Sequence, residues 1–227
     1  MTRIVRPAVL LGLLALLLFA ASPIWAANAD ESGFTPIFDG KTLKGWNGNL
    51  KVFRVEEGAI VGGTMKERIA HNDFLAYEKE FADFELRLKF KLIGKGVNGG
   101  VQIRSRRIPN NFEMSGYQAD LGDNYWGSLY DESRRNKTLI APKAELIQKV
   151  LKREAWNDYT IRCQGRHIQL WMNGEQTVDY TEPDEKIEQT GLIALQIHAG
   201  EPSEAWYKDL RIKVLSSTDA KAEKKSK

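Results

Sequence analysis

The chain has 227 residues with 33 basic and 30 acidic side chains, so its formal net charge at neutral pH is only +3. That balance excludes the strongly basic field that is typical of nucleic-acid-binding proteins. A single cysteine, Cys163, excludes an internal disulfide, and its alternation with Ile161 predicts a buried, unreactive thiol.

The first element in chain order is typical of a secretory signal peptide. Arg3 and Arg6 precede an apolar run from Ala8 to about Ala21, and small residues around Ala26 offer a cleavage site. The run is shorter than the ~20 residues that a membrane-spanning helix needs. We therefore predict that residues 1–29 are removed and that the mature protein is exported, to the periplasm or the extracellular space, with no membrane partner.

Strand patterns dominate the chain that follows. The segment "FRVEEGAIVGG" predicts two short strands, and "FADFELRLKFKL" alternates apolar and charged side chains from Phe84 to Leu92, which is the clearest strand signal. The segment "YTIRCQGRHIQLWMNGEQTVDY" predicts strands that join at Gly165-Arg166 and at Asn173-Gly174, where Asn-Gly suits a type I′ hairpin. The segment "AWYKDLRIKVL" predicts the last strand.

Helical pattern is confined to "PKAELIQKVLKREAWND", which predicts only a turn or two. Many short strands separated by Gly and Asn turns are typical of an antiparallel β-sandwich. We thus predict an all-β fold with one sandwich domain over residues 30–215. A disordered, charged tail is expected over residues 216–227.

Period-2 alternation assigns an unusual set of polar side chains to the outer face of one predicted sheet, opposite the apolar residues that point into the core. The set is Gln102, Arg104, Arg106, Gln118, Asp120, Ser128, Tyr130, Glu132, Gln196 and His198. One such residue alone is usually a plain surface residue. Their recurrence on several strands, beside glycines such as Gly99, Gly100, Gly116 and Gly127, predicts a surface that holds a sugar and moves a proton.

The same stretches carry a family resemblance that covers nearly all of the chain from Phe34 to Val214. The blocks "FTPIFDGKTLKGW", "NGGVQIRSR", "GYQADLGDNYWGSLYDE", "WNDYTIRCQGRHIQLWMNG" and "GLIALQIHAG", followed by "AWYKDLRIK", resemble in order those of the 3-keto-disaccharide hydrolase family. The resemblance implies a concanavalin A-like jelly roll, export, and breakdown of 3-keto-glycosides. Two positions depart from the family pattern: "NGG" stands where "NSG" is common, and Gln118 stands where glutamate is frequent.

The acids of the predicted surface do not match an ordinary two-carboxylate glycosidase. Such an enzyme on a jelly roll can carry both acids two residues apart on one strand, but here Asp120 has Gln118 at that spacing. Glu113 or Glu132 would have to come from elsewhere. Cleavage of a 3-keto sugar does not need two carboxylates, because the C3 carbonyl acidifies the hydrogen on C2. One base near neutral pH, with a positive group or metal at the developing enolate, can drive elimination before water adds.

These demands assign roles to the predicted surface. We expect His198 to be the base or acid, Asp120 its partner or the second acid/base, and Arg104 the clamp on the enolate or carbonyl. Substrate binding is assigned to Gln102, Gln118, Tyr130, Glu132, Gln196 and Trp126. For Trp126, stacking on a sugar ring and packing in the core are equally good interpretations.

No cofactor is expected, although a divalent cation held by Asp120, Glu132 and His198 stays an open alternative. The three histidines lack the spacing of a zinc site. The rival interpretation of the whole domain is a noncatalytic, lectin-like carbohydrate-binding module, since jelly rolls serve lectins as readily as enzymes. The pairing of His198 with Asp120 favours the enzyme. In either case the partner is a small carbohydrate, and the sequence indicates no oligomeric state.

Overall fold

Two antiparallel sheets face each other in the computed structural model, which describes residues 31–216. The predicted signal peptide, and the predicted tail beyond Ser216, lie outside the described residues. In chain order the elements are β1 (Thr35–Pro36), β2 (Trp46–Asn47), β3 (Phe53–Glu56), β4 (Ala59–Thr64), β5 (Asp73–Phe81), β6 (Phe84–Gly94), β7 (Asn98–Arg107), β8 (Met114–Gly122), β9 (Leu129–Glu132), β10 (Lys137–Ile140), α1 (Ala144–Val150), β11 (Asn157–Gln164), β12 (His167–Met172), β13 (Glu175–Thr181), β14 (Gly191–Ile197) and β15 (Ser203–Val214).

The strand order defines two layers. Sheet 1 runs β13-β12-β11-β6-β15-β4-β3, with β1 paired to β15, and sheet 2 runs β10-β9-β8-β7-β14-β5-β2. Neighbouring strands are antiparallel in both sheets. The predicted all-β, antiparallel sandwich of the concanavalin A-like jelly-roll class is therefore confirmed.

The core lies between the two sheets and follows the alternation of the sequence. On β6, Phe84, Leu86, Leu88 and Phe90 are buried, and they pack in one apolar cluster with inward residues of sheet 2 such as Val101. A strand with one apolar and one polar face is held in register by that burial, because a slip of one residue would expose the whole apolar set.

The local predictions for sheet 1 also hold. Asn173 and Gly174 have φ values of +50° and +88°, the positive values that a type I′ turn between β12 and β13 requires. Cys163 is buried and free, and burial raises the pKa of its thiol to about 12, which keeps it unreactive. The only α-helix among the described residues is α1, within the segment predicted to be helical. No helix in residues 31–216 has both the length and the apolar character needed to cross a bilayer.

The outer face of sheet 2 is less open than a solvated sheet. The loop between β7 and β8, residues 108–113, leads into Met114, which packs on that face with Phe74, Ala76 and Ala194. This small apolar cluster lies beside buried polar side chains of the same sheet, among them Gln102, Gln118 and Gln196. The cover matters for function, because polar groups buried under it interact more strongly than they would in open water.

Candidate active site

A small pocket on the outer face of sheet 2 gathers most of the chemically active side chains. Its volume is about 120 Å³, and it is lined by Asn98, Gln118, Asp120, Tyr125, Tyr130, Glu132 and His198. Strand alternation explains this convergence. On β8 and β9, Gln118 is paired with Tyr130, and the outward acids Asp120 and Glu132 follow two residues away on their strands.

Asp120 is the most perturbed acid of the pocket. Only 4% of the residue is exposed, and burial raises the pKa of its carboxyl to about 8, with the negative charge of Glu132 adding to the effect. Its Oδ1 accepts hydrogen bonds from the Gln118 amide and from the Leu121 N–H, each at 3.1 Å. At neutral pH this carboxyl therefore holds a proton and can act as an acid.

A backbone hydrogen bond determines which nitrogen of the His198 ring carries the hydrogen. Its Nδ1 lies 2.7 Å from the carbonyl oxygen of Ala199, and because a carbonyl can only accept, Nδ1 must carry the hydrogen. The neutral ring then has its lone pair on Nε2. The backbone N–H of His198 donates to the Asn98 carbonyl at 3.0 Å, which fixes the residue against the start of β7.

Glu132 connects the acid and the base electrostatically. Burial and the charge of Glu113 raise the pKa of Glu132, whereas the nearby His198 lowers it. A carboxylate in this position stabilises an imidazolium, so Glu132 can assist proton transfer to His198.

The loop of residues 108–113 is tied to the base by Asn72. The Asn72 side chain accepts from the Ala199 N–H and donates to Glu113 Oε1, both at 2.9 Å. At the tip of this loop the Phe112 ring stacks on His71 with centroids 3.6 Å apart, and 58% of Phe112 is exposed. This aromatic pair is thus next in sequence to Glu113 and Asn72, the residues that connect the loop to Ala199.

A row of buried amides lies behind Asp120. The Ser105 hydroxyl is 2.6 Å from Gln102 Oε1, the Gln102 amide donates to Gln118 Oε1 at 2.7 Å, and the Gln118 amide donates to Asp120. Gln196 is also fully buried, and neither of its amide atoms has a hydrogen-bond partner among the described residues. Gln102 and Gln196, predicted to bind substrate, thus lie below the pocket surface rather than on it.

The structure places Arg104 away from the pocket, so the prediction that it points outward beside Gln102 is wrong. The pairing of β7 with β8 shifts register between Ile103 and Arg106, and Arg104 has a φ of +49°. This bulge turns the side chain out of the alternation that the sequence predicted.

The contacts of the Arg104 guanidinium leave it no role as a clamp on the substrate. It donates to the carbonyls of Ala82 and Gly165 at 2.7 Å, pairs with Asp83 at 3.0 Å, and has no exposed side-chain surface. The adjacent Ser105 is paired with Leu192 on β14. Leu192 is six residues before His198, so at about 3.3 Å per residue the backbone near Arg104 is ~20 Å along the sheet from His198.

Trp126 packs rather than lining the pocket. Its ring lies 6.2 Å from that of Phe90, and its indole N–H donates to Asp123. The preceding residue, Tyr125, lines the pocket instead and is 39% exposed. Sequence reasoning missed Tyr125 and Asn98. The alternation of Asn98 with Gly100 and Gln102 on β7 could have revealed Asn98, whereas Tyr125 lies in a turn where no periodicity applies.

Two larger cavities, of about 350 and 300 Å³, share Pro36, Phe38 and Asp39 in their walls. The Asp39 carboxylate there is already engaged by the Thr42 and Lys41 N–H groups, which lower its pKa to about 2. An ionised, satisfied acid of this kind is a poor proton donor or acceptor. The smaller pocket is the better candidate because acid, base and hydrogen-bond donors meet in it.

Metal ligation has little support in the geometry. Within residues 31–216, no three or more His, Cys, Asp or Glu side chains are grouped so that they could hold a metal ion. The alternative of a cation held by Asp120, Glu132 and His198 is therefore not supported by their arrangement.

Comparison with known proteins identifies the family. The model of the 3-keto-alpha-glucoside-1,2-lyase-like domain matches residues 33–213. The chain belongs to this family. Among curated proteins, a 3-keto-disaccharide hydrolase of Bacteroides thetaiotaomicron is 24% identical over 173 residues, a match that covers 66% of this chain and 59% of that protein. The chain thus spans less than two thirds of the length of this relative.

Solved structures share the fold of this lyase-like domain. A Parabacteroides distasonis protein, classed provisionally as a glycosyl hydrolase, superimposes with a TM-score of 0.62 at 21% identity, over 81% of this chain and 94% of that one. The carbohydrate recognition domain of Emp47p gives a TM-score of 0.55 at 10% identity, over 83% and 100%. At these identities the similarity establishes a common sandwich architecture, which is used for both catalysis and binding.

Proposed function

We propose that the protein cleaves the glycosidic bond of 3-keto-disaccharides or other 3-keto-glycosides by removing the hydrogen next to the ketone. The observation that carries this proposal is the meeting, in one small pocket, of the His198 imidazole, whose Nδ1 is engaged by a carbonyl so that Nε2 is left for substrate, with the buried Asp120 carboxyl, whose pKa is raised to about 8. Membership of the 3-keto-alpha-glucoside-1,2-lyase-like family supports the choice of substrate.

The first step uses His198 as the base. Its Nε2 takes the hydrogen from C2 of the 3-keto sugar, and the electrons of that C–H bond are delocalised onto the C3 oxygen as an enolate. Imidazole suits this step because its ordinary pKa lies near neutrality. The imidazolium that forms is stabilised by the neighbouring Glu132 charge.

The second step uses Asp120 as the acid. As the enolate collapses, a C1–C2 double bond forms and the C1–O bond breaks, and Asp120 gives its proton to the departing oxygen. The products are an alcohol or sugar and an unsaturated ketone. Addition of water across the C1–C2 double bond returns a hydroxyl to C1 and a proton to C2, so the net reaction is hydrolysis.

Neutral donors replace the guanidinium that the sequence predicted at the enolate oxygen. No arginine or lysine lines the pocket among the described residues, but the Asn98 amide and the Tyr125 and Tyr130 hydroxyls do. Burial and the charges of Glu132 and Asp120 raise the pKa of Tyr130, so its hydroxyl stays protonated as a donor. Donors that are already oriented stabilise charge as it develops in the transition state.

The rim indicates how the rest of the substrate is held. Tyr125 lines the pocket, and the exposed Phe112, in the loop that Asn72 connects to Ala199, is the aromatic surface that we assign to the rest of the sugar at the rim. The pocket volume is only about 120 Å³, so part of a disaccharide enters it and the remainder lies against the rim. We also propose that the protein acts after export, since its first residues have the pattern of a signal peptide.

An ordinary two-carboxylate glycosidase is the second candidate function. The observation in its favour is that Glu132 shares the pocket and an electrostatic interaction with Asp120, a meeting that their sequence spacing did not predict. Such an enzyme would not need a keto group on its substrate.

One experiment distinguishes the 3-keto-glycoside enzyme from the two-carboxylate glycosidase and from a noncatalytic carbohydrate-binding module. Purified protein is incubated with a 3-keto-disaccharide and with its unoxidised form, while released sugar and the absorbance of the conjugated enone are measured. Turnover of the oxidised form alone is the expected result. Cleavage of the unoxidised form would favour the two-carboxylate glycosidase, and binding of both without cleavage would favour the binding module.

A further inference from the structure

The buried row behind Asp120 has a direction. Ser105 Oγ has three acceptors within reach: Gln102 Oε1 at 2.6 Å and the carbonyls of Ile103 and Tyr117 at 3.0 and 3.2 Å. The contact with Gln102 is the shortest of the three, typical of an O–H···O bond and shorter than the usual N–H···O range. The Gln102 oxygen therefore accepts the Ser105 hydroxyl, and its NH₂ group must face Gln118 at 2.7 Å. That contact uses the Gln118 oxygen as acceptor and turns the Gln118 NH₂ group to Asp120.

The direction of the row determines which oxygen of Asp120 carries the proton. Oδ1 already accepts from the Gln118 amide and the Leu121 N–H, two donors that leave no room for a hydrogen on that atom. Oδ2 has no hydrogen-bond partner among residues 31–216, and Asp120 lines the pocket. The proton of the neutral carboxyl is thus placed on Oδ2, toward the pocket.

We propose that Ser105, Gln102 and Gln118 are positioning residues that fix the Asp120 carboxyl with its acidic hydrogen toward the substrate. Ser105 and Gln102 do not line the pocket, so they act through Gln118 and not by contact with the sugar. The use of that hydrogen in catalysis rests on the proposed function, but the orientation itself does not.

Other titratable groups also face Asp120, and the test must keep them unchanged. Glu132 on β9, His198 after β14, and the hydroxyls of Tyr125 and Tyr130 share the pocket. From sheet 1, the buried hydroxyls of Tyr159 and Tyr207 interact with the Asp120 charge. None of these groups belongs to the amide row, so substitutions within the row leave their charges in place.

The experiment is a pH titration of the Asp120 carboxyl, followed by its ¹³C chemical shift in the full chain and compared between wild type and Gln118→Leu. Loss of a donor to the ionised form should raise the pKa of Asp120 by about one to two pH units, the usual worth of a hydrogen bond to a charged group. Gln102→Leu should raise the pKa by less, because Gln118 remains but is free to turn. The matched control is Gln169→Leu, which removes an amide that donates to the Asp179 carboxylate on sheet 1 at 3.2 Å.

Ser105→Ala tests the direction with the smallest change in volume. It should lower kcat without changing KM and shift the alkaline limb of the pH–rate profile to higher pH, because a loosened amide row stabilises the ionised Asp120 less. A merely structural serine would alter only the folded fraction. An Asp120 titration that is unchanged in the Gln118 and Gln102 variants would overturn the proposal. If the wild type cleaves no 3-keto sugar, the proposed function fails, but the titration still decides the orientation.

Discussion

Asp120→Asn isolates the contribution of the buried acid to stability. Asparagine keeps an oxygen for the Gln118 and Leu121 donors and puts an NH₂ group where the protonated carboxyl has its hydroxyl. Because burial raises the pKa of Asp120 from 3.8 to about 8, the unfolded chain loses near pH 4 a proton that the folded protein keeps until about pH 8. Between these values the free energy of unfolding of the wild type falls by about 1.4 kcal/mol per pH unit, a loss that the variant does not have.

Urea unfolding at about pH 5 and about pH 7 measures this difference. Relative to wild type, Asp120→Asn should gain about 3 kcal/mol between the two conditions, a large part of a typical domain's 5–15 kcal/mol. Asp39→Asn is the control, since the pKa of Asp39 is lowered to about 2 and its contribution is constant in this range. Parallel pH dependences in wild type and Asp120→Asn would refute the conclusion that the folded protein holds Asp120 protonated.

Three further substitutions test the remaining parts of the account. His198→Gln should lower kcat by roughly 100-fold to 10,000-fold in the disaccharide assay with an unchanged melting temperature, and near-normal turnover would remove His198 as the base. Phe112→Ala should raise KM several-fold, for about 1 kcal/mol of lost stacking, with kcat unchanged; an equal fall in kcat would contradict a role confined to the rim. Arg104→Met should destabilise the fold by about 2–4 kcal/mol in urea unfolding because it leaves the carbonyls of Ala82 and Gly165 without this donor, while the folded fraction keeps its kcat; selective loss of kcat would restore Arg104 to the site.

The sequence predicts the fold well because burial enforces a regular alternation. On β6, all the apolar residues of the period-2 pattern from Phe84 to Leu92 are buried, and the Asn173-Gly174 turn adopts the backbone that its residues prefer. The same rule brings Gln118 and Asp120 to one face with Tyr130 and Glu132, since β8 and β9 are regular where these residues are paired.

The rest of the site depends on departures from regularity, which no alternation reveals. One extra residue in β7 turns Arg104 away from the face predicted for it. The loop of residues 108–113 brings Glu113 to Glu132 and Phe112 to His71 through contacts distant in sequence. Burial of Gln102 and Gln196 follows from the cover over sheet 2, which depends on tertiary packing.

Turnover of a 3-keto-disaccharide in D₂O, followed by NMR of the product, tests directly whether cleavage begins with removal of the hydrogen on C2. Elimination and hydration draw the new C2 hydrogen from solvent, so the wild-type product should carry deuterium at C2 above the level in an enzyme-free control. Product that keeps its original C2 hydrogen would contradict the account, because direct displacement at C1 leaves that bond intact.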